Sequence, residues 1–180
     1  MVIDVFIRTT PNKSPLRQGF FMSTFARWHM EPLARITVIE DHNGKIREHR
    51  LWAESRAQSE IYIVTDDDVL PHGKNWLARG FAAMQKHPEY VVCSTLSLVE
   101  GENLATGEGE IYPMHAVGAP MWIRRGILGN DLPEFAFTHE CGAIDDYVKA
   151  KGFQEGLING LRHIHIGHGM SQDLQMVWGF

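Results

Sequence analysis

Apolar and polar positions along this chain follow two alternating rhythms. Short runs rich in β-branched and aromatic residues, Val2–Ile7, Arg35–Ile39, Ile61–Thr65 and Tyr90–Ser94, read as strands. Longer stretches between them carry apolar residues at helical spacing. Leu16–His29 has helix-compatible spacing of Leu16, Phe20, Phe21, Phe25 and Trp28, and Lys74–Lys86 is the clearest helix, with Trp76, Leu77, Phe81 and Met84 recurring near 3.6 residues. Arg47–Ser59 also reads as a helix, with Leu51 and Ser55 on one face. Pro32 and Pro88 end two of these helices, and His42-Asn43-Gly44 marks a turn. Further on, Ala119–Ile123 reads as a strand and Ile144–Lys151 as a helix closed by Gly152. The segment from His163 onward is poor in periodicity and rich in His and Gly. Strand and helix in alternation predict an α/β domain with a largely parallel sheet.

The sharpest break in the pattern is IYIVTDDDVLP. An apolar strand, Ile61–Val64, runs into Asp66, Asp67 and Asp68, and Pro71 is expected to stop the strand. Carboxylates packed at a strand end repel, so a proton or a cation is expected among them. Mg²⁺ or Mn²⁺ suits such oxygen ligands. The C-terminal edge of an open α/β sheet is also where ligands bind. Continued strand geometry would aim Asp66 and Asp68 to one side and Asp67 to the other. A solvated acidic turn that caps the next helix is the alternative.

Composition narrows the partners. The 180 residues are 44% hydrophobic with a net charge of −5, enough for one substantial core. The densest basic run is the pair Arg124-Arg125, which disfavours nucleic acid. Cys93 sits in an apolar run and reads as a buried hydrophobe, and Cys141 is distant from it, as in a reducing compartment. The start, MVIDVFIR, lacks a signal-peptide pattern, and no apolar run is long enough to span a membrane, so a cytoplasmic location is expected. There is no internal repeat and no linker, so one domain over 1–180 is expected.

In order and spacing, these pieces resemble a GT-A fold glycosyltransferase, most similar to glycosyltransferase family 2. The resemblance rests on DDDVLP followed by NWLARGFAAMQKHPEYVVCS, on RTTPNK after the first strand, on IEDHNG after the second, and on GAPMWIRRGIL at Gly118–Leu128. It implies a single-domain, Rossmann-like GT-A fold with a mixed, mostly parallel sheet flanked by helices. The nucleotide-binding half would span about 1–98 and the acceptor half about 110–180. It implies transfer of a sugar from a nucleotide-diphosphate sugar, a UDP-sugar foremost, to an acceptor hydroxyl with inversion, using Mn²⁺ or Mg²⁺. Thr9, Thr10, Asn12, Asp41, Arg50, Asp66 and Asp67 would bind the donor. Asp66 and Asp68 would hold the metal with His168 and His165. Of the family's Ala-Arg-Asn-x-Gly helix only Arg50 matches, with Leu51 at the Asn position. The general base falls among Asp145, Asp146 and Glu140.

Other readings stay open on the residues themselves. Asp41 also suits a turn before Asn43-Gly44, Arg50 a surface helix, and the α-helical acids a favourable macrodipole. The Gly- and Glu-rich stretch 99–109 is a candidate lid, and His115 a candidate acceptor contact. Trp28, Trp52, Trp76 and Trp122 read as packing, and Trp178 as an exposed residue or a cover for the site. A haloacid-dehalogenase-like phosphatase with Asp66 as nucleophile is the first alternative, and a non-catalytic sugar- or nucleotide-sugar-binding module the second.

Overall fold

The β-branched runs pair into one sheet and the amphipathic segments cover its faces. The computed structural model describes residues 1–10, 15–41, 45–98, 109–114, 118–135 and 140–166, without the side chains of residues 16, 140 and 141. The first five elements are β1 (Ile3–Thr9), α1 (Pro15–His29), β2 (Ala34–Glu40), α2 (Ile46–Arg56) and β3 (Ile61–Asp66). Then come β4 (Val69–His72), α3 (Trp76–Lys86), β5 (Tyr90–Ser97), β6 (Ile111–Pro113) and β7 (Met121–Arg124). Helix α4 (Glu140–Ala150) and the long strand β8 (Gln154–His165) complete the order.

The eight-stranded sheet has the order β2-β1-β3-β7-β5-β8-β4, with β6 added on β8. Strands β2, β1 and β3 are parallel. Strand β7 is antiparallel to both β3 and β5. Because β5 and β8 are parallel, they point the same way as β1–β3, while β7, β4 and β6 oppose them. The expected mixed sheet with a dominant direction is what forms.

Strand alternation splits the core in two. Ile3, Val5, Ile7, Ile61 and Ile63 face α1 and α3, where Trp28, Trp76, Leu77 and Met84 meet them. Phe6, Tyr62 and Val64 face the opposite way, against Ala53 of α2 and Ile144, Tyr147 and Val148 of α4. Three tryptophans form a stack through the first layer: Trp28 lies 5.5 Å from Trp76, and Trp76 lies 5.0 Å from Trp122, between ring centroids. Two of the indole N–H groups are satisfied, since Trp28 Nε1 donates to Val69 O at 3.0 Å and Trp76 Nε1 to Arg162 O at 2.7 Å, whereas the buried Trp122 Nε1 has no hydrogen-bond partner among the described residues. Gly80 in α3 is required by this stack, because a side chain there would collide with the Trp122 ring. Trp52 instead lies at the surface, edge-on to Phe6 at 5.9 Å.

Two expectations are corrected here. Pro71 does not stop a strand; it lies within β4, opposite His163 of β8. It is tolerated because β4 is the last strand in the order, with an edge that needs no N–H. The second correction concerns 154–165, a continuous strand that the sequence does not announce.

Candidate functional site

The carboxylates of the acidic triplet are distributed over three different partners. Asp66 is the last residue of β3 and sits in register with Arg8 of β1. Arg8 Nε and Nη2 approach Asp66 Oδ1 at 2.9 and 2.8 Å. Strand parity places this pair on the α2 side of the sheet, in line with Phe6 and Val64. There Arg8 Nη1 lies 3.9 Å from Asp41 Oδ2, and His49 Nε2 of α2 lies 3.5 Å from Asp41 Oδ1. Asp41 is fixed at the end of β2 by its own N–H, which donates to Thr9 O at 2.7 Å. Burial lowers the His49 pKa, against the pull of Asp41.

Asp67 turns to the other side. The Thr9 hydroxyl donates to Asp67 Oδ2 at 2.7 Å. Thr9 thus links two predicted donor-binding residues, through its carbonyl to Asp41 and through its hydroxyl to Asp67. Asp68 lies between two basic side chains. Arg17, in the first turn of α1, places Nη1 2.8 Å from Asp68 Oδ2 and Nη2 3.9 Å from Asp67 Oδ1. His165, at the end of β8, places Nε2 3.3 Å from Asp68 Oδ1. The Asp68 carbonyl accepts from the Ile166 N–H at 2.7 Å, which fastens the end of β8 to the acidic turn. Burial works to raise the Asp68 pKa, but the hydrogen bond and charge of His165 and then Arg17 outweigh it, and the carboxyl is held below its ordinary value.

Behind His165 lies His163, whose Nδ1 is 2.9 Å from the Thr95 hydroxyl. Burial, reinforced by His165 and Arg162, pushes its pKa down to about 3, so it stays neutral. It is a wall of the site, held in one orientation.

The expected alternation of the triplet is therefore corrected. Strand pleating ends at Asp66, and Asp67 and Asp68 lie in the turn before β4. The carboxylates that share a cation are Asp67 and Asp68, through Arg17, whereas Asp66 joins Arg8. Arg50 is 1% exposed, which removes the reading as a surface helix charge; it stands beside His49 and Tyr62. Thr10 is exposed at the end of β1. Asn12, His115, His168, Trp178 and nearly all of the candidate lid lie outside the described residues.

Asp145 and Asp146 of α4 are not brought to this cluster. Asp145 pairs with Lys149 at 2.6 Å and lines a hollow of about 300 Å³ with Pro113, Met114, Phe153, Gln154 and Glu155. Glu155 is level with Val92 of β5, whereas His163 is level with Ser97. That interval is about 17 Å at roughly 3.3 Å per residue, so Asp145 belongs to the opposite half of the sheet. Asp146 is exposed on the same helix. Glu140 begins α4, about 15 Å along the helix axis from the end that feeds β8. A second hollow, of about 400 Å³, is lined by Arg79, Lys86 and Asn159 and contains none of the triplet.

Among the described residues, no group of three His, Cys, Asp or Glu side chains is arranged to hold a metal ion. The chemistry present nevertheless fits one. Asp67 and Asp68 both face the Arg17 guanidinium, which supplies the positive charge a cation would bring, and the His165 imidazole sits on the other Asp68 oxygen. Among the described residues no helix is long and apolar enough to cross a membrane.

Arg8, Arg17 and His49 are absent from the sequence-based site. Arg17 and His49 are single basic residues outside the quoted motifs, and Arg8 opens RTTPNK without a role assigned to it. Arg8 alone had a usable signal, the parity of its strand, which places it opposite Asp66.

The sheet order, with antiparallel β7 inserted between β3 and β5 and carboxylates at the end of β3, is that of a GT-A fold. A mannosyltransferase from Pyrobaculum calidifontis, in complex with GDP-mannose and Mn²⁺, matches at a TM-score of 0.62 and 14% identity, over 94% of this chain and 58% of that one. A glycosyltransferase involved in glycosylation of the major capsid of PBCV-1 matches at 0.61 and 12% identity, over 98% of this chain and 100% of that one. A CMP:2-keto-3-deoxy-manno-octonic acid synthetase complexed with CTP matches at 0.58 and 10% identity, over the full length of both. These likenesses are of fold. No protein-family model matches the sequence, and neither does any curated protein.

Proposed function

We propose that this chain is a divalent-metal-dependent glycosyltransferase, which moves a sugar from a nucleotide-diphosphate sugar to an acceptor hydroxyl with inversion. The observation that carries this reading is the set of carboxylates at the end of β3, each held by the side chains of neighbouring elements. Asp41, Thr9 and buried Arg50 outline the nucleotide end, with Arg8 fixing Asp41 and Asp66. Asp68 and His165, with Asp67 beside them and His168 from the following segment, would hold Mn²⁺ or Mg²⁺. The metal would supply positive charge for the departing diphosphate. Arg17 adds a second positive group at the same place, because a guanidinium pairs with phosphate as readily as with carboxylate.

An inverting transfer also needs a base for the acceptor proton. Glu140 is the preferred candidate over Asp145 and Asp146, since it lies furthest along α4 from the hollow at the start of β8 that Asp145 lines. Glu140→Gln should lower turnover on the order of 100-fold with donor binding intact. The dehalogenase alternative needs Asp66 as a free nucleophile, whereas Asp66 Oδ1 is held by both Arg8 Nε and Nη2.

The test is calorimetric titration of a panel of nucleotide-diphosphate sugars, with and without Mn²⁺, followed by an assay for released nucleoside diphosphate. Metal-dependent binding of one donor, lost in Asp68→Asn, is the expected result. No binding of any donor under either condition would sink the proposal.

A further inference from the structure

Arg17 is built into the acidic cluster in an unusual manner. Its guanidinium contacts Asp68 at 2.8 Å and reaches Asp67 at 3.9 Å, across the face that remains once His165 has taken the other Asp68 oxygen. The two sides of the pair differ in freedom. The Arg17 side chain is 43% exposed, whereas that of Asp68 is 7% exposed. The carboxylate is fixed by its surroundings, and the guanidinium rests on it from the solvent side at the start of α1.

We infer that Arg17 is a tethered counter-ion, which holds the place of the divalent cation in the empty protein and moves to the donor diphosphate when the cation binds. This inference rests on the glycosyltransferase reading given above. The balance of charge makes the case. A cation arriving alone must displace Arg17 and leave a guanidinium beside it, like charge against like. When a diphosphate arrives with the cation, the guanidinium gains an anionic partner in exchange for the one it loses. Arg17 therefore opposes binding of free metal and favours binding of metal with diphosphate, which is positive coupling between the two ligands. The site would stay closed to metal in the absence of donor.

The experiment titrates Mn²⁺ into the full chain, alone and with saturating UDP, for wild type, Arg17→Ala, Arg17→Gln, Arg17→Lys and Asp68→Asn. Binding is read by calorimetry and by the loss of the free Mn²⁺ paramagnetic resonance signal. Without UDP, the Ala and Gln variants should bind Mn²⁺ about tenfold more tightly than wild type, and the Lys variant close to wild type. UDP should strengthen Mn²⁺ binding in wild type by a larger factor than in Arg17→Ala. Equal Mn²⁺ affinity in wild type and both neutral variants, with binding lost in Asp68→Asn, would overturn the role of Arg17 and leave the metal assignment standing. Mn²⁺ binding that is absent from all variants, or unchanged in Asp68→Asn, would overturn the metal assignment and the inference with it.

Discussion

Acid–base clusters lie near both ends of strand β1, and they are built differently. Near its start, Asp4 Oδ2 accepts from the Gln58 N–H at 2.7 Å, the Ser59 N–H at 2.8 Å and the Ser59 hydroxyl at 3.0 Å. Arg35 donates to its other oxygen. Near the end of β1, Asp66, Asp67 and Asp68 are met by Arg8, Thr9, Arg17 and His165. Backbone donors cannot leave without unmaking the loop between α2 and β3, whereas side chains can rotate away. A carboxylate satisfied by the backbone is a staple. One satisfied by long basic side chains can exchange those partners for a ligand.

The largest effect should come from breaking the staple. Asp4→Ala leaves the partly buried Gln58 and Ser59 N–H donors without their acceptor, removes the Arg35 pairing, and should cost about 2 kcal/mol in urea denaturation. A change below about 1 kcal/mol would show that the loop finds other partners. Next comes Asp68→Asn. It should weaken Mn²⁺ binding on the order of 100-fold while shifting stability by less than about 1 kcal/mol, because it relieves like charge as it removes the Arg17 pairing. Comparable loss of stability in the two variants would abolish the distinction between the two ends.

Acid gives a third effect. Burial tends to raise the Asp4 pKa, yet Arg35 and the Ser59 and Gln58 donors bring it from 3.8 down to about 2. A depressed folded-state pKa means that the stabilisation is present above about pH 4 and is lost as pH falls through about 2. The loss should be about 2 kcal/mol. Denaturation midpoints followed between those pH values should flatten in Asp4→Asn and keep most of their slope in Asp68→Asn. The same slope in both variants would remove Asp4 as its source.

The contrast also explains what was legible in the sequence. Strands β1, β2, β3 and β5 and helices α1, α2 and α3 follow their apolar rhythm, and the triplet, Thr9, Asp41 and Arg50 lie at strand ends or on α2 within the recognised pattern. Strand β8 was hidden by its own glycines. A side chain at Gly156 would collide with Ile111 and Tyr90, and Gly160 takes a φ of +78° where the pairing with β5 shifts register. Residues that look like breakers are there to admit a neighbour and a bulge. Pro71 misleads in the same way, since only the sheet order shows that β4 is an edge. Arg17 carries no local signal, because its meaning arises from the packing of α1 over the turn after β3.

The smallest effect should come from Asp145. Its partner, Lys149, lies one turn further along α4 and is exposed, so solvent screens the pair and it contributes little. Its hollow is bounded by the start of β8, with Glu155 and His163 separated by the interval from Val92 to Ser97 on β5. Asp145→Asn should therefore leave donor turnover within about twofold of wild type. Mn²⁺ affinity should not move, because the substitution touches none of the groups around Asp68. Turnover in Asp145→Asn that falls as far as in Glu140→Gln, with donor binding intact, would place the acceptor in the hollow beside β6. The end of β3 would then hold the donor alone, and α4 would have to deliver its base from the middle of the helix.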